Sequence, residues 1–282
     1  MILTIQHMTR YVYNTPARAV VQSHRLTPSR FDGQNVLSWQ ISVSGGRKGG
    51  EFRDGAGDWV TGWTVPGPVG EIEVMVQGVV ETRDLSGILR GHRETVPPEA
   101  YLRDTEATRT DDALRALADS VGDTAPLALG HGLSTAVTGA IAYRPGVTQS
   151  ATTAAAALAL GEGVCQDHAQ VMVALARHRG LPARYVSGYL SSGGDVAGTG
   201  AAGTGGGATG AAQEAAHAWA ELFIAGIGWI GFDPANECCP DARYLRLGSG
   251  LDAKGAAPIR GTTRGTGEET LSVTVAVQAQ AQ

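Results

Sequence analysis

The sequence has little cysteine, no extended basic block and no long apolar run. Only three cysteines are present, two of them adjacent at Cys238 and Cys239, which argues against a disulfide framework and fits a reducing compartment. No block of Lys or Arg is longer than the "RHR" of residues 177–179, and the formal charge is −5. A nucleic-acid partner is therefore not expected.

Signals for export, membrane crossing and metal binding are also missing. Arg10 interrupts the N-terminal segment where a signal peptide would continue its apolar core, and no run reaches the roughly 18 apolar residues of a membrane span. We therefore expect a cytoplasmic protein without a membrane partner. Acidic residues do not follow the spacing of a calcium loop and no CxxC pair is present, so no cofactor is predicted.

The length indicates two domains, and the glycine content indicates a loop-rich protein. The strand and helix signals described below together predict an α+β fold. The chain has 282 residues, 43% hydrophobic and 17% charged, with 40 glycines. Residues 1–85 form short segments of alternating apolar and polar side chains that are broken by turn residues. This pattern predicts several short strands in an antiparallel β-sandwich or barrel, and we define an N-terminal β-sandwich domain here. Residues 86–110 are interpreted as a linker and 111–240 as a second domain, which we call the core. Residues 241–282 form a C-terminal extension with a final strand, "TLSVTVAV", whose partner the sequence does not specify.

Helix signals open the core. Thr110 and Asp111 can cap a first helix, Pro126 lies near the start of a second, and a third is predicted over Thr153–Leu160. The run after Cys165 is apolar on more than one face, which predicts a buried helix that Gly180 ends. A strand, "ARYVSGYL", and a hairpin, "HAWAELFIAGIGWIGFD", are expected to follow.

A segment rich in glycine and alanine separates that strand from the hairpin. Residues 191–216 have no periodicity and are interpreted as a flexible loop. Within it, "GTGAAG" at Gly198–Gly203 matches the GxGxxG pattern of dinucleotide sites. No predicted helix follows to bind a pyrophosphate, so the pattern does not indicate such a site.

Cys165 lies between a glycine-flanked turn and the predicted start of a helix. A helix N-terminus and a neighbouring imidazolium both stabilise a thiolate, the nucleophilic form of cysteine. His217 and Asp233 are candidates for the imidazole and for the group that orients it. Each residue alone has an ordinary structural interpretation, as a buried filler, a strand residue or a turn former. Their occurrence together in this order favours a Cys-His-Asp triad.

The turn of the hairpin decides whether His217 and Asp233 can meet. With a three-residue loop at 225–227, Asp233 is the diagonal neighbour of His217 on the same face, about 7 to 8 Å away between backbones. A regular four-residue loop would place the two side chains on opposite faces. We therefore predict an odd loop or a β-bulge near Gly226 or Gly228.

Four segments around these residues carry a family likeness. "GVCQDHA", "GLPARYVSGYL", "HAWAEL" and "GWIGFDPAN" resemble, nearly residue for residue, the core of bacterial transglutaminase-like proteins, a branch of the papain-like cysteine superfamily. "YVYNTPA" and "QNVLSWQISV" resemble the β-domain that precedes this core. The resemblance implies a Cys helix packed on an antiparallel sheet. It also implies Cys165 as nucleophile, His217 as general base and then acid, and Asp233 as the group that orients the imidazole.

The sequence therefore favours cysteine-dependent acyl transfer from an amide of a peptide or protein substrate, through a thioester. Hydrolysis by a peptidase or amidase is preferred, since no feature indicates the water-excluded acceptor channel that transfer to an amine requires. A protein-glutamine transglutaminase and a catalytically silent peptide-binding module are the alternatives. Zinc held by Cys238, Cys239 and either His168 or His217 is disfavoured, because adjacent cysteines rarely chelate one ion well.

Neighbouring residues are candidates for supporting roles. The backbone N–H of Cys165 is the predicted oxyanion donor, and Gln166 is a candidate for a second one. Trp219 and Glu221 share the predicted face of His217, so Trp219 could line the acyl site and Glu221 could support the imidazole.

Overall fold

The computed structural model describes residues 1–191 and 215–280, in which two large β-sheets and four α-helices form the fold. The strands are β1 (Ile2–His24), β2 (Gln34–Val43), β3 (Arg47–Arg53), β4 (Trp59–Thr82), β5 (Ala142–Tyr143), β6 (Glu162–Gly163), β7 (Ala183–Leu190), β8 (Ala216–Ile224), β9 (Gly228–Phe232), β10 (Tyr244–Gly250), β11 (Ile259–Arg264) and β12 (Glu269–Gln280). The helices are α1 (Asp112–Ser120), α2 (Pro126–Ala140), α3 (Ala154–Leu160) and α4 (Cys165–His178), with a 3₁₀ turn at Pro98–Leu102. The predicted glycine-rich loop, including its GxGxxG pattern, lies outside the described residues except at its ends. No helix among the described residues is long and apolar enough to span a bilayer.

The N-terminal sheet is one continuous antiparallel sheet. Its order is β11-β1-β4-β2, with β12 also paired to β1 and β3 to β4. Strands β1 and β4 have 23 and 24 residues and run the full length of the sheet. The region predicted as a β-sandwich therefore belongs to one sheet. The register between β1 and β4 shifts from Val12 to Ala19. Such irregularities bend a strand without ending it, which is why internal turn residues predicted several shorter strands.

Residues 241–282, described above as a C-terminal extension, are divided between the two sheets. Strand β10 joins the core sheet beside β7, whereas β11 and β12 pair with β1. The final strand therefore has β1 as its partner, with Tyr13 opposite Glu269 and Ile2 opposite Gln280. This connection ties the N-terminal sheet to the core.

The core helices start as their sequences predict. The Asp111 carboxylate accepts the N–H of Leu114 at 2.8 Å, and the Thr153 hydroxyl accepts the N–H of Ala156 at 3.2 Å. Helix α2 begins at Pro126. Proline lacks a backbone N–H, but an N–H at the first helical position would have no acceptor within the helix, so proline is tolerated there. Local capping chemistry thus determines where α1, α2 and α3 begin.

Helix α4 is the centre of the core. It is buried along nearly its whole length and packs on the antiparallel sheet of order β10-β7-β8-β9. Val173 and Ala169 of the helix share one apolar cluster with Ala220 and Leu222 of β8. Gly180 follows the helix with a φ of 74°, a conformation that favours glycine and ends the helix. The predicted arrangement of a Cys helix on an antiparallel sheet is confirmed.

The hairpin of β8 and β9 has a three-residue loop. Ile224 pairs with Gly228, and this register continues without a shift along both strands. Gly226 and Gly228 have φ angles of 85° and 106°, which side chains other than hydrogen rarely allow. The odd loop confirms the predicted register and gives His217 and Asp233 a common face.

A network of five charged side chains, four of them buried and Glu94 partly buried, joins the two sheets. Arg246 of β10 donates to Glu221 of β8 at 2.8 Å and to Asp58, which precedes β4, at 2.7 Å. Arg184 of β7 donates to Glu221 at 2.7 Å and also to Glu94 in the predicted linker. Burial alone would raise the pKa of Glu221, but the charges of Arg246 and Arg184 lower it to about 2. The network therefore stays ionised and holds the core sheet against the N-terminal region.

Removal of Arg246 should destabilise the protein far more than removal of an exposed arginine nearby. Arg246→Ala leaves the buried Glu221 with Arg184 as its arginine partner and removes the ion pair of the buried Asp58, so we expect a loss of about 3–5 kcal/mol in the free energy of unfolding. The Arg243 and Asp241 side chains are 43% and 32% exposed, so Arg243→Ala should cost less than about 1 kcal/mol. Urea denaturation measures both, and equal losses would contradict the network's role.

Candidate active site

Cys165 is the first residue of helix α4, and only 8% of its surface is exposed. The helix start is held by Asp167, whose carboxylate accepts the Val164 N–H at 2.8 Å and the Thr148 hydroxyl at 2.6 Å. The N–H groups of a first helical turn have no acceptor within the helix, and the helix dipole favours negative charge there. The local sequence therefore places the sulfur where a thiolate is stabilised.

His217 contacts both other predicted residues. Its Nε2 lies 2.6 Å from Oδ2 of Asp233, and both side chains are almost fully buried. The imidazole also interacts with Cys165, which is among the groups that raise the pKa of His217. Because Asp233 occupies Nε2, Nδ1 is the ring nitrogen left to face the sulfur. The fold thus brings together three residues that are far apart in the sequence.

The surroundings of His217 stabilise its charged form. Burial alone would lower its pKa, but hydrogen bonds and charge interactions with Asp233 and Cys165 outweigh burial and raise the pKa to about 10. Burial alone would also raise the pKa of Asp233, which the hydrogen bond and charge of His217 instead lower. The imidazole and the carboxylate therefore form an ion pair at neutral pH.

Two further side chains donate to the Asp233 carboxylate. Its Oδ2 accepts the amide of Asn236 and the hydroxyl of Tyr244, each at 2.7 Å. Its Oδ1 accepts the backbone N–H of Ala235 at 3.0 Å. With His217, the buried anion has donors on both oxygens, which offsets the cost of removing it from water.

Trp219 shields the imidazole, in agreement with its predicted position on the face of His217. The two rings stack with centroids 6.3 Å apart and an interplanar angle of 25°. Tyr244 packs edge-on against both, at 5.8 Å from His217 and 5.5 Å from Trp219. Gly188 lies opposite His217 in β7, and a Cβ there would be 2.6 Å from the Trp219 ring. A glycine is needed there because the Leu245 carbonyl oxygen, which lies still closer to that Cβ position, and the indole occupy the space.

The remaining candidates have other surroundings. Glu221 faces the same side as His217, but its carboxylate bonds to Arg184 and Arg246, so its contacts are those of the ion network rather than of the imidazole. The Gln166 side chain is exposed to solvent. His168 directs both ring nitrogens at backbone carbonyls, at 2.9 and 3.0 Å, which is a structural role.

Sequence reasoning did not identify Asn236 and Tyr244. Asn236 lies three positions after Asp233, a spacing at which the side chains of a turn often contact each other. The "DPAN" segment could therefore have predicted this hydrogen bond. Tyr244 lies 11 positions after Asp233 in a separate strand. No local pattern connects those two residues, because their contact depends on how β10 joins the sheet.

Cys238 and Cys239 lie beside the site. The Cys238 sulfur is 3.2 Å from the Tyr244 hydroxyl, and both cysteines line a cleft of about 270 Å³ together with residues of α2. Within residues 1–191 and 215–280, no group of three or more His, Cys, Asp or Glu could hold a metal ion. This part of the chain therefore offers no ligand set for the zinc alternative.

Family comparisons agree with this fold. The transglutaminase-like superfamily core matches residues 115–234, and the bacterial transglutaminase-like N-terminal region matches residues 3–81. The two matches together cover well over half of the chain. The chain belongs to the bacterial transglutaminase-like family, as its motifs indicated.

The matches to individual relatives cover very different shares of the two chains. An uncharacterised protein of Mycobacterium leprae is 29% identical, with 98% of each chain covered. A crystal structure of a proposed cysteine protease from Cytophaga hutchinsonii superposes with a TM-score of 0.71 at 21% identity, over 100% of this chain and 92% of its own, which shows the fold. A protein-glutamine gamma-glutamyltransferase of Pseudomonas aeruginosa is 32% identical over 32% of this chain and 12% of that enzyme. These matches show the family and the fold.

The imidazole of His217 should stay protonated well above neutral pH. An ordinary histidine loses its proton near pH 6.5, whereas the raised pKa predicts that His217 loses its proton near pH 10. Ring chemical shifts in NMR, assigned with His217→Gln, measure this titration. Asp233→Asn removes a charge and a hydrogen-bond acceptor, so the midpoint should fall. A wild-type midpoint near 6.5 would contradict the ion pair.

Proposed function

We propose that the protein is a cysteine-dependent acyl-transfer enzyme that cleaves amide or peptide bonds of a peptide or protein substrate. The observation that carries this is the buried line of contacts from Cys165 through His217 to Asp233, with 2.6 Å between the last two. Burying an imidazolium and a carboxylate is costly, and such sites are concentrated where catalysis uses them. The arrangement is the one that activates cysteine nucleophiles.

Acylation follows from the positions of these groups. The Cys165 thiolate attacks the amide carbonyl carbon, and the electron pair of the C=O π bond moves to the oxygen. The backbone N–H of Cys165, at the start of α4, donates to that oxyanion. When the intermediate collapses, the carbon–nitrogen bond breaks and His217 gives its proton to the departing amine. The acyl group stays on the sulfur as a thioester.

Deacylation uses the same imidazole in its neutral form. Formation of the thioester removes the negative sulfur, which is one of the partners that raise the pKa of His217. The ring therefore becomes less basic at the step in which it must release its proton. It then accepts a proton from water, whose oxygen attacks the thioester carbon. The carbon–sulfur bond breaks, a carboxylic acid leaves, and the proton on His217 restores the ion pair with Cys165.

We propose hydrolysis as the main reaction and transfer to an amine as the alternative. Transfer requires that an amine reach the thioester while water is kept away. The likeness to the gamma-glutamyltransferase supports transfer, but it covers only 12% of that enzyme. Both reactions share the acylation step, so the identity of the acceptor distinguishes them.

Cys165 should be alkylated rapidly below pH 7, because an adjacent imidazolium stabilises the reactive thiolate. The alkylation rate of a free thiol instead rises with a midpoint at a pH of about 8.5. Peptide mass spectrometry after iodoacetamide treatment gives the rate at Cys165 separately from Cys238 and Cys239. His217→Gln should return the profile to that of a free thiol. A wild-type midpoint near that of a free thiol would favour the silent peptide-binding module.

The acyl-enzyme should be detectable by intact mass. Incubation with pools of peptides and amines should leave an acyl adduct on the wild-type chain and none on Cys165→Ala, which lacks the nucleophile. Shortened peptides with a new carboxylate would identify hydrolysis, and amine-linked peptides would identify transfer. A reactive thiol that gives neither adduct nor product with any pool would contradict the enzyme assignment.

A further inference from the structure

The Asp233 carboxylate depends on a strand outside its own hairpin. We propose that Tyr244 is a positioning residue that holds Asp233 in the rotamer facing His217, and that Cys238 orients the Tyr244 hydroxyl. This inference rests on the proposed function, because it concerns the carboxylate of the same Cys-His-Asp site. It gives a role to Cys238, which the triad leaves unexplained.

Tyr244 approaches Asp233 from a rigid and independent element. Its hydroxyl donates to Oδ2 at 2.7 Å, and its ring packs edge-on against His217 and Trp219. Only 5% of the residue is exposed, so water does not compete for the hydrogen bond. Strand β10 is held by β7, whereas Asp233 follows the hairpin of β8 and β9. A donor on a third strand therefore restrains the carboxylate when the hairpin end moves.

Cys238 determines where the tyrosine proton points. A tyrosine hydroxyl has one proton, and in this site it goes to Asp233. The Cys238 sulfur lies 3.2 Å from the same hydroxyl and is therefore the donor to its oxygen. Burial raises the pKa of the Cys238 thiol, so the sulfur keeps that proton. The Asp233 N–H also donates to the Cys238 carbonyl at 2.8 Å, which links the two residues through the backbone.

The carboxylate keeps other donors when Tyr244 is changed. Asn236 donates to the same oxygen at 2.7 Å, and His217 remains at 2.6 Å. Loss of the tyrosine hydroxyl should therefore weaken the site in a graded way rather than abolish it. Because removing a donor disfavours the ionised carboxylate, Asp233 should take up a proton at a higher pH.

Tyr244→Phe tests the positioning role without a known substrate. Phenylalanine keeps the ring packing and removes the donor, so the imidazolium loses its counter-charge earlier as the pH falls. We expect the acid-side midpoint of Cys165 alkylation to rise by about one pH unit. An unchanged profile, even with a lower melting temperature, would show that Tyr244 only fills space and would overturn the proposal.

The two adjacent cysteines provide matched variants, and they keep the proposal testable if Tyr244→Phe does not fold. Cys238→Ala should shift the midpoint in the same direction by a smaller amount, and Cys238→Ser, which keeps a donor, should restore it. Cys239→Ala should leave the profile unchanged. Equal shifts at both positions, or none at Cys238, would overturn the orienting role. A wild-type protein without rapid alkylation below pH 7 would instead remove the proposed function.

Discussion

A buried ion pair between an imidazole and a carboxylate sets the requirements for the whole core. Taking two charges out of water costs more free energy than their attraction returns unless their remaining donors and acceptors are satisfied. Asp233 meets this condition with His217, Asn236 and Tyr244, and His217 meets it with Asp233 and Cys165. These partners come from α4, from β8, from the turn after β9 and from β10. The reactive geometry therefore exists only when all four are assembled.

Two charged systems share one face of the core sheet and are kept apart by an aromatic side chain. His217, Trp219 and Glu221 occupy every second position of β8 and therefore share one face. The indole of Trp219 thus lies between the imidazole and the ion network of Glu221. Its ring stacks on His217 and fills the space above Gly188. Trp219 thus contacts the imidazole and also separates it from the ion network of Glu221.

The sequence predicted the parts of the molecule that local chemistry determines. Asp111 caps its helix because a short carboxylate accepts a first-turn N–H, and Gly226 allows the odd loop that aligns His217 with Asp233. Tyr244 was missed because no periodicity records which strand joins which edge of a sheet. Long strands were likewise read as several short ones, since turn residues in β1 and β4 mark bends rather than ends.

Strand β10 connects the N-terminal sheet to the candidate active site, which gives that sheet a physical role. Two residues of this strand, Tyr244 and Arg246, lie on one face; the first donates to Asp233 and the second to Asp58. The Arg246 backbone N–H also donates to Gln34 of β2. Since the N-terminal region holds β10 at Arg246, it also restricts the position of the Tyr244 hydroxyl two residues earlier. The N-terminal region therefore supports the Asp233 carboxylate indirectly.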